Sequence, residues 1–159
     1  MRLGTKIALG VPAAVLAIGI PFTARWEGTE TTPYWDSIGR AWTVCMGETN
    51  VPMREYTQAE CEAMFEPSWS SYYRGMVACF PRLPEAPATV QAMATDLAYN
   101  TGTAAVCNSR TTGGHLRAGR WRDFCNVLPS WAMSNGVRVR GLLNRRMDAR
   151  EVCLSGITE

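Results

Sequence analysis

Two carboxylic acids could act as a pair. Glu27 follows Trp26 at the end of an apolar stretch, and Asp36 follows nine residues later, at the entrance to the turn-like Ser37-Ile38-Gly39-Arg40. Cleavage of a glycosidic bond commonly uses two carboxyl groups, one protonated to serve the leaving oxygen and one ionised to activate water. Apolar surroundings favour the neutral form of a carboxyl, which suits Glu27 to the acid role, while a turn is a wetter place for Asp36. Spacing alone leaves a plainer reading open, because Asp before a turn is often simply a turn residue.

The elements that must position this pair follow from the local pattern. Tyr34-Trp35 and Ala41-Trp42-Thr43-Val44 read as strands joined by a turn in which Gly39 is free to take positive φ. Thr57-Gln58-Ala59-Glu60 is a capping box opening a helix that carries Cys61, Met64 and Phe65 at helical spacing, and Pro81, Pro84 and Pro87 break it. A second helical pattern covers 88–98 and ends at Asn100-Thr101-Gly102, and 116–128 and 141–154 are further amphipathic stretches. The expected fold is therefore α+β: a small β-hairpin lobe and a larger helical lobe with a cleft between them, preceded by an N-terminal apolar helix.

That N-terminal segment has its own logic. Arg2 and Lys6 precede an apolar run over 7–22, an export-like arrangement. The run falls short of the ~20 residues that span a bilayer comfortably. Half of it is Ala, Gly or Pro, which bury little apolar area or weaken a helix, Pro12 among them. A cleaved signal peptide, a stable anchor and a weak anchor all fit the start of such a chain. Phe22 two residues before Ala24 suits a cleavage site poorly, so the weak, uncleaved anchor is the expectation. This divides the chain into an anchor, 1–24, and a catalytic domain, 25–159.

Charge and cysteine usage bound the remaining possibilities. Residues 27–85 hold nine acids and four Arg, whereas 110–150 hold nine Arg and two Asp, which reads either as an ordinary solvated Arg-rich surface or as a basic lobe for a polyanion: cell wall, nucleic acid or lipid headgroups. The basic residues lack an accompanying nucleic-acid-binding motif, so no nucleic-acid partner is expected. The six cysteines, Cys45, Cys61, Cys79, Cys107, Cys125 and Cys153, form no C-x-x-C pair, and His115 is the single histidine. Neither a metal site nor a cofactor is expected; disulfides in an oxidising compartment are. His115 follows Gly113-Gly114 and reads as a surface or loop histidine. Arg145 and Arg146 read as supports of the fold through salt bridges, and Trp35 and Trp42, beside the carboxyl pair, as candidates for stacking on sugar.

Glu27-Gly28, Tyr34-Trp35-Asp36, Gly39 and Trp42-Thr43-Val44-Cys45-Met46-Gly47-Glu48-Thr49 together resemble the active-site region of the phage-type lysozymes. Thr57-Gln58-Ala59-Glu60-Cys61 is similar to the start of that family's interlobe helix, and Tyr99-Asn100-Thr101-Gly102 to its Asn-x-Gly helix end. Gly141-Leu142-Leu143-Asn144-Arg145-Arg146 and Glu151-Val152-Cys153-Leu154-Ser155-Gly156 resemble its C-terminal signature. The resemblance covers roughly 25–157. It implies a muramidase that opens the β-1,4 bond between N-acetylmuramic acid and N-acetylglucosamine, with Glu27 as general acid and with Asp36 and Thr43 positioning water. It also implies inversion at the anomeric carbon, and the disulfides Cys45–Cys61, Cys79–Cys107 and Cys125–Cys153.

The chain departs from the family pattern in two places. Asp36 and Thr43 stand seven residues apart where the family usually has six, and Glu48 stands where it often has His. The Ala/Gly-rich start resembles the signal-arrest-release segment of secreted phage endolysins. That implies transient tethering to the host inner membrane through 3–22, activation on release into the periplasm, peptidoglycan as substrate, and action as a monomer. Refolding of the anchor against the body is the switch that remains, because the segment holds no Cys. A chitinase, a lytic transglycosylase and a membrane-tethered wall-binding module without catalysis are the competing readings.

Overall fold

The computed structural model describes residues 10–37 and 39–158. The chain opens with helix α1, Ala13–Glu27, followed by an antiparallel hairpin, β1 Glu30–Asp36 and β2 Ala41–Cys45. The long helix α2, Gln58–Cys79, leads into the helical lobe: α3 Ala88–Thr101, α4 Thr103–Cys107, α5 Arg110–Ala118 and α6 Trp121–Val127. A two-residue-per-strand hairpin, β3 Met133–Ser134 and β4 Val137–Arg138, precedes α7, Arg140–Ser155. The α+β layout with a small hairpin lobe and a larger helical lobe is the one expected.

Helix α1 is part of the core. Val15, Gly19, Ile20, Phe22, Thr23 and Ala24 are buried, while Ala13, Ala14, Ala17 and Pro21 face outward. The helix runs without a break across residues 24 and 25 and packs on α2 and α3. Two details differ from expectation. Pro12 caps the helix instead of lying inside it, where the ring supplies a preset φ and no N–H is wasted. Gly19 is not merely a weak helix former: a Cβ there would lie 2.1 Å from Cζ2 of Trp69, so its bare Cα is the seat of that indole. The part of the apolar run over 7–9 lies outside the described residues. Among the described residues, no helix is long and apolar enough to cross a membrane.

Helix α2 starts at the expected box, with Thr57 Oγ1 accepting from the Glu60 N–H and Glu60 accepting from the Thr57 N–H. Its inward side carries Cys61, Phe65, Trp69, Tyr73 and Met76 into the core. The stretch 116–128 is not one helix: Gly119 takes a left-handed conformation that ends α5, and α6 begins two residues on. His115 consequently lies in the last turn of α5, not in a loop, and its Nδ1 accepts from Arg120 Nε at 3.3 Å. Disulfides join Cys45 to Cys61, Cys79 to Cys107 and Cys125 to Cys153, the pairs that the family resemblance implies. The first ties the hairpin to α2, the second ties α2 to α4, and the third ties α6 to α7.

Candidate active site

Glu27 is the last residue of α1. Gly28 follows at φ 79°, a conformation that costs a Cβ-bearing residue, and its N–H closes the helix on Ala24 O at 3.0 Å. The chain therefore turns sharply out of the helix and into β1, leaving Glu27 at the rim of a cleft of about 600 Å³. Gly28, Glu30 and Tyr34 from the hairpin side, Cys45, Met46 and Gly47 from the end of β2, and Tyr99 from α3 complete the lining.

The surroundings of Glu27 differ from the apolar pocket that its sequence neighbours suggest. Its side chain is 30% exposed, and Oε1 accepts a hydrogen bond from Arg145 Nη1 at 2.6 Å. Trp26 does not cover the carboxylate, because successive helical residues point about 100° apart and its indole N–H reaches Asp148 at 3.1 Å instead. Arg25 also contacts Asp148. The end of α1 is thus fastened to α7 at Arg145 and, one turn on, at Asp148.

Arg145 belongs to a buried polar cluster. Its Nη2 and Nε donate to the Oδ1 and Oδ2 of Asp96, at 2.7 and 3.4 Å. Asp96 is fully enclosed on α3, and Oδ1 also accepts from Thr23 Oγ1 at 2.8 Å. Thr23 in turn accepts from Trp69 Nε1 at 3.0 Å. Burial alone would lower the Arg145 pKa, but the carboxylates of Asp96 and Glu27 outweigh it and hold the guanidinium above its ordinary value. Burial pushes the neighbouring Arg146 down to about 10, against the pull of Asp96, so it stays charged at neutral pH. Arg146 donates to Trp131 O at 3.1 Å and contacts Asn100 Oδ1. The support through salt bridges expected of these two arginines is present in both.

On the opposite wall, β1 and β2 pair as Tyr34 with Thr43, Trp35 with Trp42 and Asp36 with Ala41. Residues directly across an antiparallel ladder share a face, and alternate residues along a strand return to it. Tyr34 and Cys45 line the cleft, so Thr43, opposite Tyr34, and Asp36, two residues past it, belong to the cleft-side face. Neither lines the pocket itself. Thr43 is 3% exposed and its hydroxyl donates to Ala41 O at 3.2 Å. The carboxylate of Asp36 folds over the turn, where a Cβ on Gly39 would come within 2.8 Å of Oδ2. The additional residue falls between Asp36 and Ala41, since Tyr34, Trp35 and Asp36 pair in unbroken register with Thr43, Trp42 and Ala41; the one register shift of this ladder lies farther from the turn, between Glu30 and Tyr34.

Two turn and face assignments change. Arg40, at φ 53°, takes the positive φ of the turn, while Gly39 is needed for the room it leaves to Asp36. Trp35 and Trp42 lie on the face away from the cleft, 53% and 54% exposed and edge to face at 6.1 Å. Adjacency to Asp36 and Thr43 in sequence places a strand residue on the other side of the sheet.

Sequence reasoning missed Thr23, Trp69, Asp96 and Tyr99. A hydroxyl directly after the apolar run and an acid in the apolar pattern of α3 were the available signals. Tyr99 shares the cleft with Glu27, and its phenol pKa is raised by burial and then by the negative charge of Glu27.

The family model described as phage lysozyme matches residues 24–149. The chain is 31% identical to the SAR-endolysin of Enterobacteria phage P21 over 147 residues, covering 91% of this chain and 87% of that protein. It is 34% identical to the SAR-endolysin of Escherichia phage Mu over 122 residues, covering 76% and 69%. Among solved structures, the active form of P1 phage endolysin Lyz is similar with a TM-score of 0.73 at 26% identity, covering 96% of this chain and 89% of that one. The secreted inactive form of the same endolysin gives 0.58 at 24% identity, covering 93% and 97%. The chain belongs to the phage lysozyme family and is a glycoside hydrolase that lyses peptidoglycan.

Proposed function

We propose that the enzyme hydrolyses the β-1,4 bond between N-acetylmuramic acid and N-acetylglucosamine, with Glu27 as general acid. One observation carries this reading: Glu27 is held by Arg145 at the rim of the cleft, facing the hairpin that bears Asp36 and Thr43. In the proposed reaction Glu27 gives its proton to the glycosidic oxygen as the bond to the anomeric carbon breaks. A water oriented by Asp36 and Thr43 attacks that carbon, and its proton passes to the Asp36 carboxylate. The Thr43 hydroxyl already donates to Ala41 O, so its lone pairs are what it offers the water.

Glu27→Gln tests the assignment. Loss of a general acid costs about 10²–10⁴-fold in rate, read by clearing of purified cell wall. Undiminished clearing would remove Glu27 from the role. Mass spectrometry of the digest distinguishes the chemistry, since reducing muramic-acid ends are expected and anhydro ends would mark a transglycosylase. Wall binding without released sugar would favour the non-catalytic module.

The chain is further proposed to act as a monomer, with 1–24 serving first as a weak inner-membrane anchor and 25–159 as the catalytic domain. On release into the periplasm the segment becomes the docked helix α1. The SAR-endolysin relatives support the tether, and the higher similarity to the active than to the inactive P1 endolysin supports the docked state as the working one. Replacing Ala and Gly of the anchor by Leu should trap the protein in the membrane and abolish lysis; full lysis by that variant would contradict the switch.

A further inference from the structure

We propose that Thr23 is a positioning residue for Glu27, acting through Asp96 and Arg145; this rests on the proposed role of Glu27. Donor chemistry sets the direction of each bond in this cluster. Trp69 Nε1 is a donor only, so the Thr23 hydroxyl must accept from it. The single hydroxyl proton is then committed to Asp96 Oδ1, at 2.8 Å. An ionised carboxylate is an acceptor only, and Asp96 spends both oxygens on the Nε and Nη2 edge of Arg145. A guanidinium is planar and rigid, so fixing that edge fixes the direction of Nη1, which donates to Glu27. Each bond in the chain from Trp69 to Glu27 therefore has one allowed direction.

Steric fit fixes the start of this chain as firmly as bonding does. Gly19 and Thr23 are one turn apart on the buried side of α1 and hold the same indole, Gly19 leaving room for its ring and Thr23 taking its N–H. Thr23, Trp69, Asp96 and Arg145 are each less than 5% exposed, so water cannot replace a missing partner. Thr23 lies in the segment proposed above as the anchor. When that segment is undocked, Asp96 loses the hydroxyl proton and Arg145 loses its setting. The arrangement makes the docked α1 a requirement for the Arg145–Glu27 geometry, and not only a source of buried area.

The test compares Thr23→Val, which keeps the shape and removes the hydroxyl, with Thr23→Ser, which keeps the hydroxyl. Both are assayed as full-length protein on soluble, uncrosslinked peptidoglycan, with the folded fraction taken from thermal melts. Misaligned catalytic groups lose rate steeply, so Thr23→Val is expected to lower kcat about tenfold or more at nearly unchanged KM. Thr23→Ser is expected to stay near the parent. Parental kcat in Thr23→Val overturns the proposal, as do equal losses in Val and Ser, or a loss that vanishes after correction for unfolded protein. Glu27→Gln separates the two claims: if it is inactive while Thr23→Val is fully active, only the positioning role falls, whereas an active Glu27→Gln removes the reading on which it rests.

Discussion

The helical wall of the cleft presents Glu27 through partners on three helices, Arg145 on α7, Asp96 on α3 and Thr23 on α1, all enclosed. The hairpin wall presents Asp36 and Thr43 on two short strands whose outer face is exposed at Trp35 and Trp42 and whose covalent tie to the body is Cys45–Cys61. One wall is fixed by directed bonds between distant side chains; the other is fixed by its own ladder, one disulfide and a small apolar cluster of Val44, Cys45, Tyr56 and Cys61. The difference matches the tasks proposed for each. A general acid must meet one oxygen in one direction, whereas a water-binding wall must admit a sugar chain and a water before it acts.

The largest effect is expected from breaking the buried wall. Asp96→Ala leaves Arg145 and Arg146 enclosed without their shared carboxylate, and loss of one partner of a buried pair costs about 3–5 kcal/mol. Urea melts should show it, with activity lost in the same variant. Next in size is Cys45→Ser with Cys61→Ser. Opening a loop of this length removes about 3 kcal/mol in the chain-entropy picture. Amide exchange should rise in β2 while the amides of α3 and α7 keep their protection; uniform loss of protection would mean that the two walls are not independent. The smallest effect is expected from Trp42→Ala on the outer face. It removes an edge-to-face contact of about 0.5–1.5 kcal/mol and should leave kcat unchanged. A large fall in kcat would show that the outer face takes part in turnover.

What could be read in advance was local. The Thr57–Glu60 box, the two strands around 37–40 and the end of α3 at Gly102 are decided by neighbours within a few residues. The position of Glu27 after an apolar helix was legible for the same reason. Its setting was not: Arg145 is 118 residues away and Thr23 meets Asp96 across 73, and periodicity carries no information about such pairings. The error over Trp35 and Trp42 was of another kind, since they were placed by adjacency to Asp36 and Thr43 when the strand period of two puts neighbours on opposite faces. The single helix expected over 116–128 failed at Gly119, where one left-handed residue outweighs an amphipathic pattern that continues on both sides.

Gly19 has a consequence for how the apolar segment can change. Considered as a solute, the segment partitions between two solvents, lipid and the protein interior. Most substitutions that raise its solubility in one should raise it in the other, because both reward apolar area. Position 19 is an exception. Any side chain there adds area that lipid accepts, but meets the Trp69 ring at a distance that carbon atoms do not tolerate. A larger residue at this one position therefore shifts the partition toward the bilayer twice over, by gaining in one phase and losing in the other. In the proposed life of the enzyme, this makes Gly19 a position from which the timing of release can be adjusted.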